Sequence, residues 1–150
     1  MSNNYTQFST CLKLNSLEEK AWWNRLALFD VKSAFDSDLT DEDPFVEMVY
    51  QICEEDYGEL QFQLYVNDHG VYFYADEQGD AYEVAKFVHY FLKEFRPDSE
   101  EEFHLAWAET CDMPKCDEFS GGMVIATTKG VGICNFESQI RYARGDIHEI

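Results

Sequence analysis

The sequence predicts an α+β fold: one domain, with a mostly antiparallel sheet of about five strands and two or three helices packed on one face. Three observations predict it. LQFQLYV (60–66) alternates apolar and polar residues, and VYFYA (71–75) returns from a turn. AYEVAKFVHYFLKEF (81–95) carries a wide apolar stripe at helical spacing. Three strand-like runs follow it in the last third of the chain, two of them joined by a short turn. One hundred and fifty residues is the length of about one domain, and no repeat or internal boundary divides it.

The elements follow in chain order. Residues 1–15 are polar with scattered apolar positions, and predict no element. Ser16 followed by Glu19 reads as a capping box, and opens a helix over LEEKAWWNRLALFDVKSAF. Leu17, Ala21, Leu28 and the Trp22/Trp23 pair fall near one broad face. Adjacent residues on a helix point about 100° apart, so one Trp is expected in the core and the other at an edge. DSDLTDEDP (36–44) is an acidic connector. Pro44, with Asp43 or Asp41 near the cap, then begins a second helix over about 44–55. Phe45, Met48, Val49, Ile52 and Cys53 recur at helical spacing there. A strand is the rival, because FVEMVYQI also holds β-favouring residues.

In the hairpin, Leu60, Phe62, Leu64 and Val66 face one way, and Asn67–Gly70 is turn chemistry. Asp80 with Glu83 repeats the capping pattern. Ala81, Val84, Ala85, Val88, Phe91, Leu92 and Phe95 form the stripe of the next helix, and Pro97 stops it. FHLAWAE (103–109), Gly122–Thr128 and Val131–Phe136 read as strands, with Lys129-Gly130 as a turn. Residues 137–144 read as a short terminal helix.

The stretch ETCDMPKCDEFSGGMVIATTKGVGIC (109–134) poses a choice between metal site, redox centre and loop. Cys111 and Cys116 form a lone C-x4-C. Structural zinc sites pair two tight Cys or His clusters; this C-x4-C lacks a second pair in sequence, and Cys134, Cys53 or His104 would have to complete four ligands through the fold. It is not the C-x-x-C of a redox pair. The deaminase pattern H-x-E…P-C-x-x-C fails at both spacings, since Glu109 stands five residues after His104 and Cys116 has no Cys two or three residues on. No phosphate loop or G-x-S-x-G elbow is present. A loop leading into a strand is the expectation, with Gly121-Gly122 marking a close backbone approach or a positive φ. No cofactor and no metal is expected. The four histidines fall in no ligand pattern, and His69 and His89 are expected to face solvent.

Charge is the distinctive feature. Thirty acids stand against eleven bases, for a net charge of -19. Its 45% hydrophobic and 16% aromatic content distinguishes the chain from a disordered acidic tail. From Ser33 to Ala85 there are fifteen acids and no Lys or Arg. Most of them flank the apolar stripes and are expected on the surface. Asp36, Asp38, Asp41, Glu42, Asp43, Glu54, Glu55, Asp56 and Glu59 are the candidate partner-binding residues. Such a surface attracts the basic grooves that bind phosphate, which in duplex DNA comes at one charge per about 1.7 Å. The expected function is therefore an acidic interaction or inhibitor protein. It would bind a basic, nucleic-acid-handling protein, such as a nuclease, by nucleic-acid mimicry. Direct nucleic-acid binding is disfavoured by the lack of a basic patch. A solvated surface, as in a saline habitat, would give the same composition.

Two alternatives stand beside this. One is a small metal-dependent or acid–base enzyme with a site near residues 104–118, built from His104, Glu109, Cys111 and Cys116. The other is a structural or assembly subunit that dimerises through exposed aromatic surface. No N-terminal signal or membrane-spanning run is visible, and five irregularly spaced cysteines suit a reducing cytoplasm. On FVHYFLKEFRPD and WAETCDMPKCDEFSGGMVIAT, the segment 84–128 resembles a group of small acidic bacterial and mobile-element proteins. The resemblance implies a bacterial or phage accessory protein and assigns no activity, partner or site residue.

Overall fold

The computed structural model describes residues 3–29, 43–54, 59–113, 119–135 and 144–145. In chain order the elements are β1 (Asn4–Lys13), α1 (Leu17–Ala27), α2 (Pro44–Cys53), β2 (Gln63–Val66), β3 (Gly70–Ala75), α3 (Ala81–Phe95), β4 (Phe103–Cys111), β5 (Ser120–Thr127) and β6 (Gly130–Asn135). The six strands form one antiparallel sheet in the order β2-β3-β1-β4-β5-β6. Both capped helices begin where the sequence places them. Ser16 Oγ accepts the Glu19 N–H, and Asp80 Oδ1 accepts those of Tyr82 and Glu83. The second helix forms rather than its strand rival, with Asp43 capping it and Pro44 in its first turn. The terminal helix expected at 137–144 lies, but for Arg144, outside the described residues.

The sixth strand is β1, where polar composition predicts no element. It lies in the middle of the sheet. Asn4–Gln7 pairs with β4, and Phe8–Lys13 pairs with β3. Phe8 and Leu12 are buried on the helix side, sharing that face with Thr6 and Thr10. Threonine suits a strand but blurs the apolar alternation that would announce one.

One face of the sheet carries the core. Val71 and Phe73 of β3, Phe103 and Leu105 of β4, and Val124 and Ala126 of β5 point to it. Helix α1 lies over β2 and β3, α3 over β4, β5 and β6, and α2 packs against α3. An aromatic chain ties the layers. Trp23 meets Phe73 at 5.0 Å, Phe73 meets Phe103 at 5.8 Å, and Phe62 bridges Phe73 and Phe87. Such edge-on pairs add to the burial of the rings themselves.

The inward face of α1 differs from the expected one. Leu17 is 79% and Leu28 86% exposed, and Ala21 is exposed. Glu19, Trp23 and Leu26 point inward instead, at helical spacing. Trp23 is the core tryptophan, and Trp22 is the half-buried one at the edge. The helix ends at Ala27, so Leu28 serves as its C-cap. A buried carboxylate is tolerated at Glu19 because Arg96 meets it at 2.8 Å and the Asn15 N–H at 2.9 Å.

Two further surface expectations are corrected. Glu83 is buried, not exposed, and accepts the Gln61 N–H at 2.9 Å. The Gln61 carbonyl in turn accepts the Asp80 N–H at 2.7 Å, so the entry to β2 is fastened to the first turn of α3. His89 is half-buried rather than solvent-facing, and its Nδ1 lies 2.7 Å from the Thr127 carbonyl oxygen. This joins α3 to the end of β5.

Candidate acidic interface

The candidate acids divide by position. Asp36, Asp38, Asp41, Glu42, Glu55 and Asp56 lie outside the described residues. Asp43, Glu54 and Glu59 are described. Asp43 has a structural task as the cap of α2, accepting the Phe45 N–H at 2.9 Å. It also pairs with Arg25 of α1. The Arg25 hydrogen bond, and then the Phe45 N–H, hold its carboxyl below the ordinary 3.8. Glu54 is exposed at the far end of α2, and Glu59 is exposed ahead of β2. At 1.5 Å per residue, α2 sets Asp43 and Glu54 roughly 16 Å apart, near the length of five base-pair steps.

The structure adds acids that the candidate set omits. Glu47 is exposed on α2, Asp68 in the β2–β3 turn, and Asp76 and Glu77 just after β3. With Glu54 and Glu59 they make six exposed carboxylates between Asp43 and Ala85, none of them in an ion pair among the described residues. Arg25 reaches from α1 to Asp43, and Lys13 at the end of β1 is paired with Gly70 at the β2–β3 turn that carries Asp68. Three further bases belong to α3 and its C-cap. Lys86 and Lys93 lie over the rings of Tyr82 and Tyr90 along α3, and Arg96 over that of Phe91. The signal for the added acids was the base-free run itself, which continues through the hairpin to Ala85.

Aromatic surface accompanies the charge. Tyr72 and Tyr74 share the sheet face opposite Phe73, and Tyr65 of β2 joins them there. Tyr65 stacks on Tyr72 at 4.9 Å with nearly parallel planes and meets Tyr74 edge-on at 6.0 Å. Asp68 stands at one end of this hairpin, and Glu59, Asp76 and Glu77 at the other. Ring faces attract cations, and a guanidinium between carboxylates and tyrosines would meet both.

A groove of about 570 Å³ lies between the three helices, lined in part by Trp22, Arg25, Asp43, Glu47, Tyr90 and Glu94. It mixes carboxylates with an aromatic floor and brings no histidine or cysteine together.

The residues of the enzyme alternative are separated by the pleat. Glu109 alternates with His104 across β4, so the two point to opposite faces of the sheet. His104 is exposed on the uncovered face beside Glu102 at 3.1 Å. Cys111 lies on the same side as Glu109, and Cys116 is outside the described residues. Among the described residues, no group of three or more His, Cys, Asp or Glu side chains is placed to hold a metal ion. Gly122 explains its half of the Gly-Gly pair by close approach. A β-carbon there would stand 2.4 Å from both the Cys134 carbonyl oxygen and the Trp107 ring. No described helix is long and apolar enough to cross a membrane. Comparison with protein families, with curated proteins and with solved structures finds no match to this chain.

Proposed function

We propose that this chain is an acidic interaction protein that occupies the basic site of a nucleic-acid-handling protein, such as a nuclease, as a cytoplasmic inhibitor. The observation that carries it is the sector of six exposed carboxylates around α2 and the β2–β3 hairpin, with no Lys or Arg from Ser33 to Ala85. Rigid placement matters to this reading. Glu47 and Glu54 ride on a capped helix, and Asp68, Asp76 and Glu77 bracket a paired hairpin. A partner that engages them meets charges already fixed in place, with less ordering entropy to lose than a flexible tail would have. Like charges held close together repel one another in the free protein, and a basic partner relieves that repulsion. The tyrosines of the hairpin supply contacts whose strength does not depend on salt.

The test is capture of partners on immobilised protein from a bacterial lysate at about 0.1 M salt, followed by salt elution and by displacement with duplex DNA. A nucleic-acid-binding protein released by both treatments is expected. Reversal of Glu47, Glu54, Glu59, Asp76 and Glu77 to Lys should abolish the capture. Asp43 is left intact because it caps α2. Retention that ignores salt, or that DNA fails to displace, refutes the proposal.

A further inference from the structure

The helices cover one face of the sheet and leave the other open. Alternation along the strands places Ser9 and Cys11 of β1, Ala106 and Ala108 of β4, and Met123 and Ile125 of β5 on the open face. All of these but half-buried Ile125 are exposed, so the face is open across its middle. Tyr65 of β2 and Tyr72 and Tyr74 of β3 continue it to one side.

The solvated face of an antiparallel sheet is ordinarily its polar one. Charged residues are 27% of this chain, so roughly a quarter of such positions would be expected to carry one. Yet no Asp, Glu or Arg of β1 to β5 points to this face, and Lys13, at the end of β1, is its one lysine. Glu109, the one acid within these strands, points to the helix side. Acids return at the rim. Asp68 and Asp76 stand beside the two ends of β3, Asp112 follows β4, and Asp98, Glu100 and Glu102 border the β5–β6 turn, with Glu102 against His104. A middle depleted of charge, bearing Tyr and Met within a charged rim, is the anatomy of a protein interface.

We propose that the open face, from β2 to β5, is a dimer interface on which the same face of a second copy packs, as two sheets of a sandwich. Size and charge select this occupant. Five strands at about 4.8 Å, averaging about seven residues at about 3.4 Å, make a face of roughly 24 by 24 Å. Two copies cover roughly 1,100 Å² in all, which just clears the size of a specific but weak interface. A basic protein finds no carboxylate across the middle of this face. A second copy, itself at -19, is tolerated there because no like charges oppose it. Repulsion between the rims keeps the dissociation constant on the order of 10–100 μM. With the two-fold axis parallel to β1, Tyr74 and Tyr72 of each copy lie over Met123 and Ile125 of the other, and methionine sulfur favours aromatic rings. Ser9, Ala106 and Ala108 let the sheets approach between them. The contact does not use β6 and does not rest on a basic partner. Glu47 and Glu54 ride on α2, on the other side of the sheet, and stay uncovered in the dimer.

The test is the mass of the full chain by sedimentation equilibrium from about 1 μM to about 500 μM, the range suited to a small interface. The wild type should rise from 17.5 kDa towards twice that value. Alkylation of Cys11 reads which surface is covered, because its thiol is exposed on the face. Its rate should fall about threefold or more across this range, while that of Cys111, on the helix side of β4, stays unchanged. Ala106→Glu sets a carboxylate in the middle of the face in both copies, and should raise the dissociation constant at least tenfold or so. Ala106 is exposed, so this variant keeps its core. Leu28→Glu, at an exposed apolar residue after α1, should dimerise as the wild type does. Added salt should strengthen the dimer by screening the rims, whereas it releases a basic partner, so the two readings fail separately. A wild type that stays monomeric throughout overturns the proposal and gives the face to a foreign protein. A dimer that leaves Cys11 as reactive as in the monomer, or that Ala106→Glu leaves unchanged, also overturns it.

Discussion

Arg96→Met should be the most damaging single change outside the apolar core. Arg96 follows the last turn of α3, and its guanidinium gathers four parts of the fold. One nitrogen donates to Glu19 of α1 at 2.8 Å and to the Lys13 carbonyl at the end of β1, also at 2.8 Å. Another donates to Glu101, ahead of β4. The guanidinium carbon lies 5.3 Å from the Phe91 ring centroid. Burial opposes the charge of Arg96, but the hydrogen bonds to Glu19 and Glu101 outweigh it and raise its pKa. The side chains of Glu19 and Arg96 are 6% and 11% exposed, so this is a buried pair. Removing one partner of such a pair costs about 3–5 kcal/mol, against about 0–1 kcal/mol for an exposed pair. Glu19 keeps the Asn15 N–H, and methionine keeps the stem packed on Phe91. The low end, about 3 kcal/mol, is therefore expected. That is a large part of a total stability on the order of 5–15 kcal/mol. With a urea slope of about 2 kcal/mol/M, the unfolding midpoint should fall by about 1.5 M at pH 7. Glu19→Met combined with Arg96→Met should recover most of the loss, because no charge then remains buried without its partner. A single-variant loss under about 1 kcal/mol, or a double variant less stable than the single, would refute the reasoning.

Three further outcomes follow from named contacts. Gly122→Ala must displace both the Cys134 carbonyl and the Trp107 ring; a loss of about 2 kcal/mol is expected, with a changed near-ultraviolet dichroism of Trp107. Glu83→Ala leaves the Gln61 N–H without its acceptor and should cost about 2 kcal/mol, whereas Glu83→Gln keeps an acceptor oxygen and should cost less; equal losses in denaturant titrations would argue against that bond. Asp43→Ala should lower the thermal midpoint at pH 7 by loosening the start of α2. The folded-state pKa of Asp43 is depressed, so its contribution is complete above the ordinary 3.8 and is lost as pH falls through the lower, folded value. Wild type and variant midpoints should accordingly converge in acid, and a gap that persists there would assign the effect to something other than the carboxylate.

Much of the fold was legible because several local signals agreed. Helix α3 has a cap, a stripe and a stop within one run, and its observed bounds are those the pattern predicts. β2 and β4 followed from alternation, β3 from the turn that precedes it, and β5 and β6 from the runs on either side of the Lys129-Gly130 turn. β1 was hidden because Thr6 and Thr10 occupy two of its core-facing positions, and partial burial of a hydroxyl leaves no apolar trace in the sequence. The face of α1 was hidden for a related reason. Glu19 looks like a surface acid until Arg96, seventy-seven residues away, is brought to it. The same holds for Glu83 and Gln61. In each case a polar side chain is buried by a long-range partner, and no local period records that. Of the candidate interface, the sequence showed the sign and extent of the charge. It could not show that Asp43 is engaged by Arg25, or that the acids continue around a hairpin bearing stacked tyrosines.

The strand order gives the charge pattern its meaning. Along the chain, the base-free stretch and the acid-free stretch are separated by α3 and β4. In the sheet they are driven to opposite margins, because β1 inserts between β3 and β4. A meander without that insertion would set the hairpin beside β4, one strand spacing closer to the neutral side. The central strand thus does more than complete the sheet. It sets the hairpin acids one strand further from the acid-free strands, but it does not leave that side of the sheet uncharged. Asp80 and Glu109 border the same hollow as Ile133, and Asp98, Glu100 and Glu102 border the β5–β6 turn. A stretch without acids in the sequence is therefore not a neutral patch in the fold, because neighbouring elements bring their own carboxylates to it.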